Sequence, residues 1–297
     1  MEIKTKQNDS LSSSFIETEL DANGFIKSPL ETEENWYQRV HALVNSNPEE
    51  NYSDLLPPDL TPKKLNEKKV PALVLKKANA LIKETFEIEI GWAPVFYEDQ
   101  LLSLFAGARF ISFDTINFII SLKEKFKDKN RWFIYNREEL IAHEFVHASR
   151  VSFHSIVYEE ILAYQVCKNK RIQFWGGIFH RPLESLIFIV LCFSYFISSV
   201  LNHFIESIND SLVYFAGASS IFYIFFQIVR HLFLMKRFKK SVRVLNKISN
   251  QPLAILLRCS DEEIHSISCQ DPITVDALEL IIKDPIRTNI LKKRFIQ

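Results

Sequence analysis

Two charge-free runs lie almost back to back in this chain. Ser185–Ile205 holds 21 residues without Asp, Glu, Lys or Arg, and Ser211–Val229 holds 19 more. About 20 apolar residues in a helix cross the hydrocarbon core of a bilayer. The five residues between the runs, Glu206–Asp210, are suited to a tight polar turn. One such run could be the core helix of a soluble protein, but two in succession are rare there. The runs predict a two-helix transmembrane hairpin over about 184–232. A hairpin returns the chain to the side it came from, so everything before and after it shares one aqueous compartment. The start, Met1–Ser14, is polar and lacks the apolar stretch of a cleavable signal, so insertion is expected from the internal segment.

The rest of the chain divides around the hairpin. Residues 1–34 are rich in Ser, Glu, Asp, Asn and Thr and read as disordered. A short helix is expected over 34–46, and Pro48–Pro62, with Pro57-Pro58, reads as a linker, so 1–60 forms one leading segment. An amphipathic helix over 63–85 has Pro71 in its first turns or at its true start. Alternation and β-branched content predict a strand or strand pair over Glu87–Tyr97, another at Ala108–Phe113 and a short one at Trp132–Tyr135. Residues 114–127 read as helix. Asn136 followed by Glu139 is a capping-box variant, predicting a helix from Arg137 to about Val151, with a second over 155–170. The tail, 233–297, reads as a small helical region. Its capping signals are Ser260 with Glu263, and Asp271 before Pro272. The fold class is therefore α+β: a domain at 61–171 with a short sheet and two helices, followed by the hairpin.

On the first of those two helices lies His143-Glu144-Phe145-Val146-His147. Residues four apart share a helix face, so both imidazoles can meet one metal ion. Glu144, one step along, can reach a water on that ion and take its proton. Zinc used this way acidifies water and polarises a carbonyl. A catalytic zinc needs a third protein ligand, and the candidates are Glu160, Glu159 and His154. Glu160 is favoured. A turn near Phe153 folds its helix antiparallel to the first, and at 1.5 Å per residue this brings Glu160 level with His147. Arg150 and Tyr158 are either oxyanion donors or ordinary helix-surface residues. The bland alternative is that the two histidines merely cap or pack.

These motifs resemble the gluzincins, the thermolysin-like zinc peptidases, in which HExxH is followed by a glutamate ligand on a later helix. The second family motif often reads Glu-x-x-Ser/Ala-Asp, and Glu160-Ile161-Leu162-Ala163-Tyr164 fits all but its last position. The resemblance covers about 87–170. It implies a zincin-like domain with zinc as cofactor, His143, His147 and Glu160 as ligands, and Glu144 as general base. The family's aspartate orients the first histidine, and the resemblance gives that role to Tyr164. The gap between His147 and Glu160 is shorter than is usual in the family.

The expected function is a membrane-anchored zinc endopeptidase whose substrate is a protein or peptide close to the membrane. The competing expectation is an inactive zincin-like scaffold. Other chemistries find no support. Glycine is scarce at 6 residues, with no phosphate-loop pattern. The formal net charge is zero, from 36 basic and 36 acidic residues, so no global field attracts nucleic acid. The four cysteines form no CxxC pair and suit a reducing compartment.

Basic residues in short flanking loops stay on the cytoplasmic side. Lys168, Lys170, Arg171 and Arg181 precede the hairpin, Arg230, Lys236, Arg237, Lys239 and Lys240 follow it, and its turn has no Lys or Arg. Both termini and the zinc motif should then be cytoplasmic. An impermeant thiol reagent applied from outside should modify a single cysteine placed at Ser207 but not one at Ser241. Labelling at 241 alone would invert the topology.

Overall fold

The computed structural model describes residues 10–45, 61–100, 107–204, 210–270 and 272–296. The proline linker and the turn between the apolar helices lie outside them, apart from Thr61-Pro62 and Asp210. In chain order come α1 (Ser10–Ala22), α2 (Glu33–Asn45), α3 (Pro62–Asn66), α4 (Ala72–Phe86), β1 (Val95–Tyr97), β2 (Ala108–Ser112), β3 (Phe118–Leu122), β4 (Arg131–Trp132), β5 (Tyr135–Asn136), α5 (Arg137–Ser149) and α6 (Glu159–Ala163). Then follow α7 (Lys170–Trp175), α8 (Pro182–Phe204), α9 (Asp210–Leu245), α10 (Pro252–Leu257), α11 (Asp261–Cys269), α12 (Val275–Ile282) and α13 (Pro285–Phe295). The α+β class is as expected from the sequence.

A three-stranded sheet of order β1-β3-β2 supports the central helices, with β1 parallel and β2 antiparallel to β3. The middle strand corrects the helix expected over 114–127. Phe118–Leu122 is buried at every position. A strand covered on both faces shows a continuous apolar run, which periodicity cannot distinguish from a buried helix. The strand or strand pair expected over Glu87–Tyr97 shrinks to its last three residues. Glu87 caps α4 in the left-handed conformation (φ 58°). Beyond it, the Asn79 side chain accepts from the Ile90 N–H (2.6 Å) and donates to the Ile90 carbonyl (2.9 Å). Those backbone groups are thus satisfied without a partner strand, while Ile88 and Ile90 enter the core. Pro71 marks the true start of α4, as one of its two expected positions.

Disorder over residues 1–34 is corrected for the described part, 10–34. The helix α1 leads into Phe25 and Ile26, both buried, and Trp36 of α2 donates its indole N–H to the Phe25 carbonyl at 2.9 Å. The tie is ionic as well as apolar. Arg258 grips Asp21 through Nε and Nη2 at 2.7–2.9 Å with both side chains 2% exposed, Arg294 adds a further contact to the same carboxylate, and the Phe295 ring stacks beneath Arg258. Polar composition concealed this because the anchoring group is itself a carboxylate. The tail is helical as expected, and the Ser260–Glu263 capping box forms. Asp271 lies outside the described residues. The helix after it starts at Val275 with Thr274 as its cap, not at Pro272, because the Thr274 side chain accepts from the Ala277 N–H.

The helices α8 and α9 are long and apolar enough to cross a membrane, with mean hydropathies of 2.0 and 1.8. Only 6% and 11% of their apolar windows are buried within the chain, so neither apolar stretch is part of its core. They pack on each other and are joined at one end by a two-pronged ion pair, Arg230 to Glu184, at 2.7–2.8 Å. Past His231, α9 continues without interruption into the folded domain, burying Met235, Phe238, Ser241, Val244 and Leu245 at helical spacing. Ser241 donates to the Ile264 carbonyl and is inaccessible, so the exposed neighbour Lys240 is the better place for a labelling cysteine.

Removing one partner of a buried ion pair leaves a charge uncompensated, at a cost of about 3–5 kcal/mol. Asp21→Ala should therefore lower stability by about that much in a thermal or denaturant unfolding assay. A neutral result would return residues 10–34 to the status of a dispensable tail.

Candidate metal centre

The helix α5 is central and buried nearly all round. Asn136 caps it by accepting from the Glu139 N–H at 3.1 Å. Arg137 fixes its first turn by donating to the Phe126 carbonyl and the Asn130 amide oxygen. On the second and third turns His143 and His147 bring their Nε2 atoms to 3.1 Å from each other. Glu160 of α6 completes the group, with one carboxylate oxygen 3.5 Å from His143 Nε2 and the other 3.5 Å from His147 Nε2.

This trio can hold a metal ion: one ligand atom from each residue lies within 4.8 Å of the others. Donors about 2.0–2.1 Å from a shared tetrahedral ion would lie about 3.3 Å apart, close to the separations seen. The donor set, two imidazoles and one carboxylate, is one that borderline divalent metals accept.

Glu159 has a different place. One of its oxygens lies 3.2 Å from His147 Nδ1 and the other accepts from Arg150 Nε at 2.8 Å. It turns its carboxylate to the far nitrogen of the imidazole, where it orients the ring and lies outside the trio. Sequence reasoning entertained Glu159 as an alternative ligand and missed this role. The signal available was the Glu159-Glu160 pair itself, two adjacent carboxylates that cannot face the same way in a helix. His154, the other alternative, sits exposed in the connecting turn with φ 51°, outside the trio.

Neither sequence reading of Arg150 and Tyr158 holds. Both are buried, and neither faces the trio as an oxyanion donor. Arg150 donates to the carbonyls of Leu257 and Cys259 beyond Glu159, and Tyr158 stacks on Phe238. The second helix is also shorter than the expected 155–170. It starts at Glu159 because Asp261 collects its entry, accepting from the Ser155 hydroxyl and from the N–H groups of Ile156, Val157 and Tyr158 at 2.5–3.1 Å. After Ala163 the chain tightens into a 3₁₀ turn at Tyr164–Val166.

Tyr164 meets His143, but through its ring. The two rings pack edge to face with centroids 4.4 Å apart, and the backbone group that supports His143 is that of Ala163. The expected hydroxyl bond to His143 is not made. Behind the tyrosine lies Gly176, where a Cβ would come within 2.5 Å of the ring. That glycine lets the segment leading to α8 lie flat against the site.

Burial dominates the electrostatics. It depresses His143, aided by His147 and opposed more weakly by the Ala163 backbone. Glu144, buried at 6% exposure, is pushed by desolvation up to about 7 against the pull of His147. Its carboxylate also accepts from the Phe110 backbone of β2. Desolvation pulls His147 down, but its hydrogen bond to the accepting Glu159 carboxylate and the charges of Glu160, Glu159 and Glu144 outweigh it and lift the imidazole to about 9.

No known protein-family model, curated protein or solved structure matches this chain.

A histidine raised to about 9 carries a proton at neutral pH, and a metal can bind it only by displacing that proton. Metal affinity should rise with pH up to about 9 and then level. At pH 7 binding should release at least about one proton per ion, that of His147, with a further fraction from Glu144. Calorimetry in buffers of different ionisation enthalpy measures this directly. Release of no proton would mean His147 is neutral in the free site.

Proposed function

We propose that this chain is a membrane-anchored zinc peptidase of the gluzincin type. The observation that carries the reading is the convergence of His143, His147 and Glu160, with Glu144 in the next helical position and buried beside them. A scaffold without chemistry has no need of an ionisable group there, and the presence of Glu144 favours the enzyme over an inactive zincin-like protein.

In this reading His143, His147 and Glu160 hold zinc, whose contribution is to acidify a water and polarise the substrate carbonyl. Glu144 is the base. Held near neutral pKa, its carboxylate can receive a proton and pass it to the departing amine. Glu159 keeps the His147 ring turned, and Arg150 keeps Glu159 in place. The strand β2 runs beside α5, and its Phe110 lies over His147 at a ring separation of 6.3 Å.

The substrate class follows from where the site lies. Gly176 rests on Tyr164 and Gly177 approaches Glu160 and Ile161, so the segment entering α8 forms one wall of the site's surroundings. With α8 and α9 spanning a bilayer and the flanking cations holding the domain in the cytoplasm, peptide bonds in membrane proteins close to that surface are the ones within reach.

Purified protein should contain close to one zinc per chain by elemental analysis. Glu144→Gln should keep that zinc while peptide hydrolysis falls by at least about 10²-fold, because an amide can hold a water but cannot take its proton. Iron in place of zinc, or undiminished turnover in the variant, would overturn the assignment.

A further inference from the structure

The β4–β5 hairpin closes on two large apolar residues facing solvent. Phe133 is 85% exposed and Ile134 is 68% exposed. Phe133 has φ 51° at the first position of the turn, where glycine is favoured and a bulky residue is strained. The tip is nevertheless firmly based. Trp132 packs edge-on against Phe126 with centroids 6.4 Å apart, and Lys123 lies over its ring at 4.8 Å.

The approach to this tip is basic. Between 123 and 131 lie five cations, Lys123, Lys125, Lys127, Lys129 and Arg131, against Glu124 and Asp128. Glu124 is engaged by Lys68. Lys125, Lys127, Lys129 and Arg131 are all exposed. A zero net charge for the whole chain conceals this cluster.

The hairpin adjoins the point where the chain heads for the apolar helices. Ile134 and Tyr135 line one cavity with Cys167 and with Ile172 of α7. Exposed Lys168, Lys170 and Arg171 flank that cavity. Only 173–181 separates Ile172 from α8, and there Phe174 and Trp175 pack on His231 of α9.

We propose that the β4–β5 hairpin is a second membrane contact, distinct from α8 and α9. Phe133 and Ile134 enter the interfacial layer of an anionic leaflet while Lys125, Lys127, Lys129 and Arg131 engage lipid phosphates. Aromatic and apolar side chains flanked by cations are the chemistry of that layer. The exposed apolar pair gives a purely phosphate-binding partner nothing to cover. The proposal rests on α8 and α9 spanning the bilayer, which brings the hairpin within reach of lipid. Two attachments would fix the domain's tilt, so that the metal centre faces one zone of the leaflet.

The test uses the full chain in lipid nanodiscs, with Cys192→Ala and Cys269→Ser removing the exposed thiols. A bimane probe on the exposed Asp128→Cys reports the hairpin, read by quenching from nitroxide-headgroup lipid. A second probe on Val190→Cys, read with a nitroxide deep in the acyl chain, reports whether α8 is inserted. Quenching at 128 is expected in discs containing phosphatidylglycerol. It should be lost in phosphatidylcholine alone, in Phe133→Ser/Ile134→Ser, and in Lys125→Glu/Lys127→Glu/Lys129→Glu, with metal content unchanged in each variant. No quenching at 128 while 190 is quenched overturns the second contact and leaves the span intact. No quenching at 190 overturns the span, and the proposal with it. Equal quenching in the Lys→Glu variant overturns the role of charge. A response at 128 to a soluble polyanion such as heparin but not to phosphatidylglycerol assigns the face to a different partner and also overturns it.

Discussion

Arg150 is the residue on which the arrangement of this molecule turns. Its side chain is wholly buried, which is costly for a guanidinium and is offset here through Nε and Nη1. Here they reach in two directions. Nε holds Glu159, which orients His147, and Nη1 holds the carbonyls of Leu257 and Cys259 at the end of α10. One side chain thus connects the metal trio to helices more than a hundred residues further along the chain. Asp261 repeats the device on the other side of the turn, gathering the backbone that enters α6. The C-terminal helices are therefore part of the mould in which Glu160 is set.

The same logic joins the domain to the apolar helices. After His231 the helix α9 runs on into the core and packs against α11, where Ser241 bonds to Ile264. Because that helix is continuous, no flexible joint separates the apolar segment from the domain on this side. On the other side the connection is the Gly176-Gly177 segment, laid against Tyr164 and α6. A rigid strut and a close-fitting strap fix the distance of the metal trio from the start of α8 more narrowly than the intervening chain length would.

What could be read from the sequence was whatever depended on local pattern. The apolar hairpin, the cap at Asn136, the HExxH face and the return of Glu160 to that face each rest on local spacing along the chain. What could not be read depended on partners distant in the chain. Asp21 looked like one more acid in a polar leader because Arg258 lies 237 residues away. Phe118–Leu122 looked helical because both strands that cover it are set by tertiary contact. Tyr164 was assigned through its hydroxyl by likeness to an aspartate, but its ring decides its place, since Gly176 leaves room for it only flat against that segment. The basic hairpin was invisible to a net charge of zero, which sums over surfaces that face different ways.

Charge at the site supplies the last step. Three carboxylates, Glu144, Glu159 and Glu160, crowd two imidazoles in a region shielded from water. Arg150 neutralises Glu159, and together they leave no net charge. His143 is held neutral by burial, so His147 supplies the remaining cation. That single proton must serve both Glu144 and Glu160, and each of these is raised by its own desolvation. A divalent ion among the three ligand atoms would take over this role. It would displace the proton from His147, stabilise Glu160 as a carboxylate and lower Glu144 toward the form that can accept a proton. The charge gathered around His143, His147 and Glu160 is one that a doubly charged cation would balance, and Glu144 stands buried in the next helical position beside it.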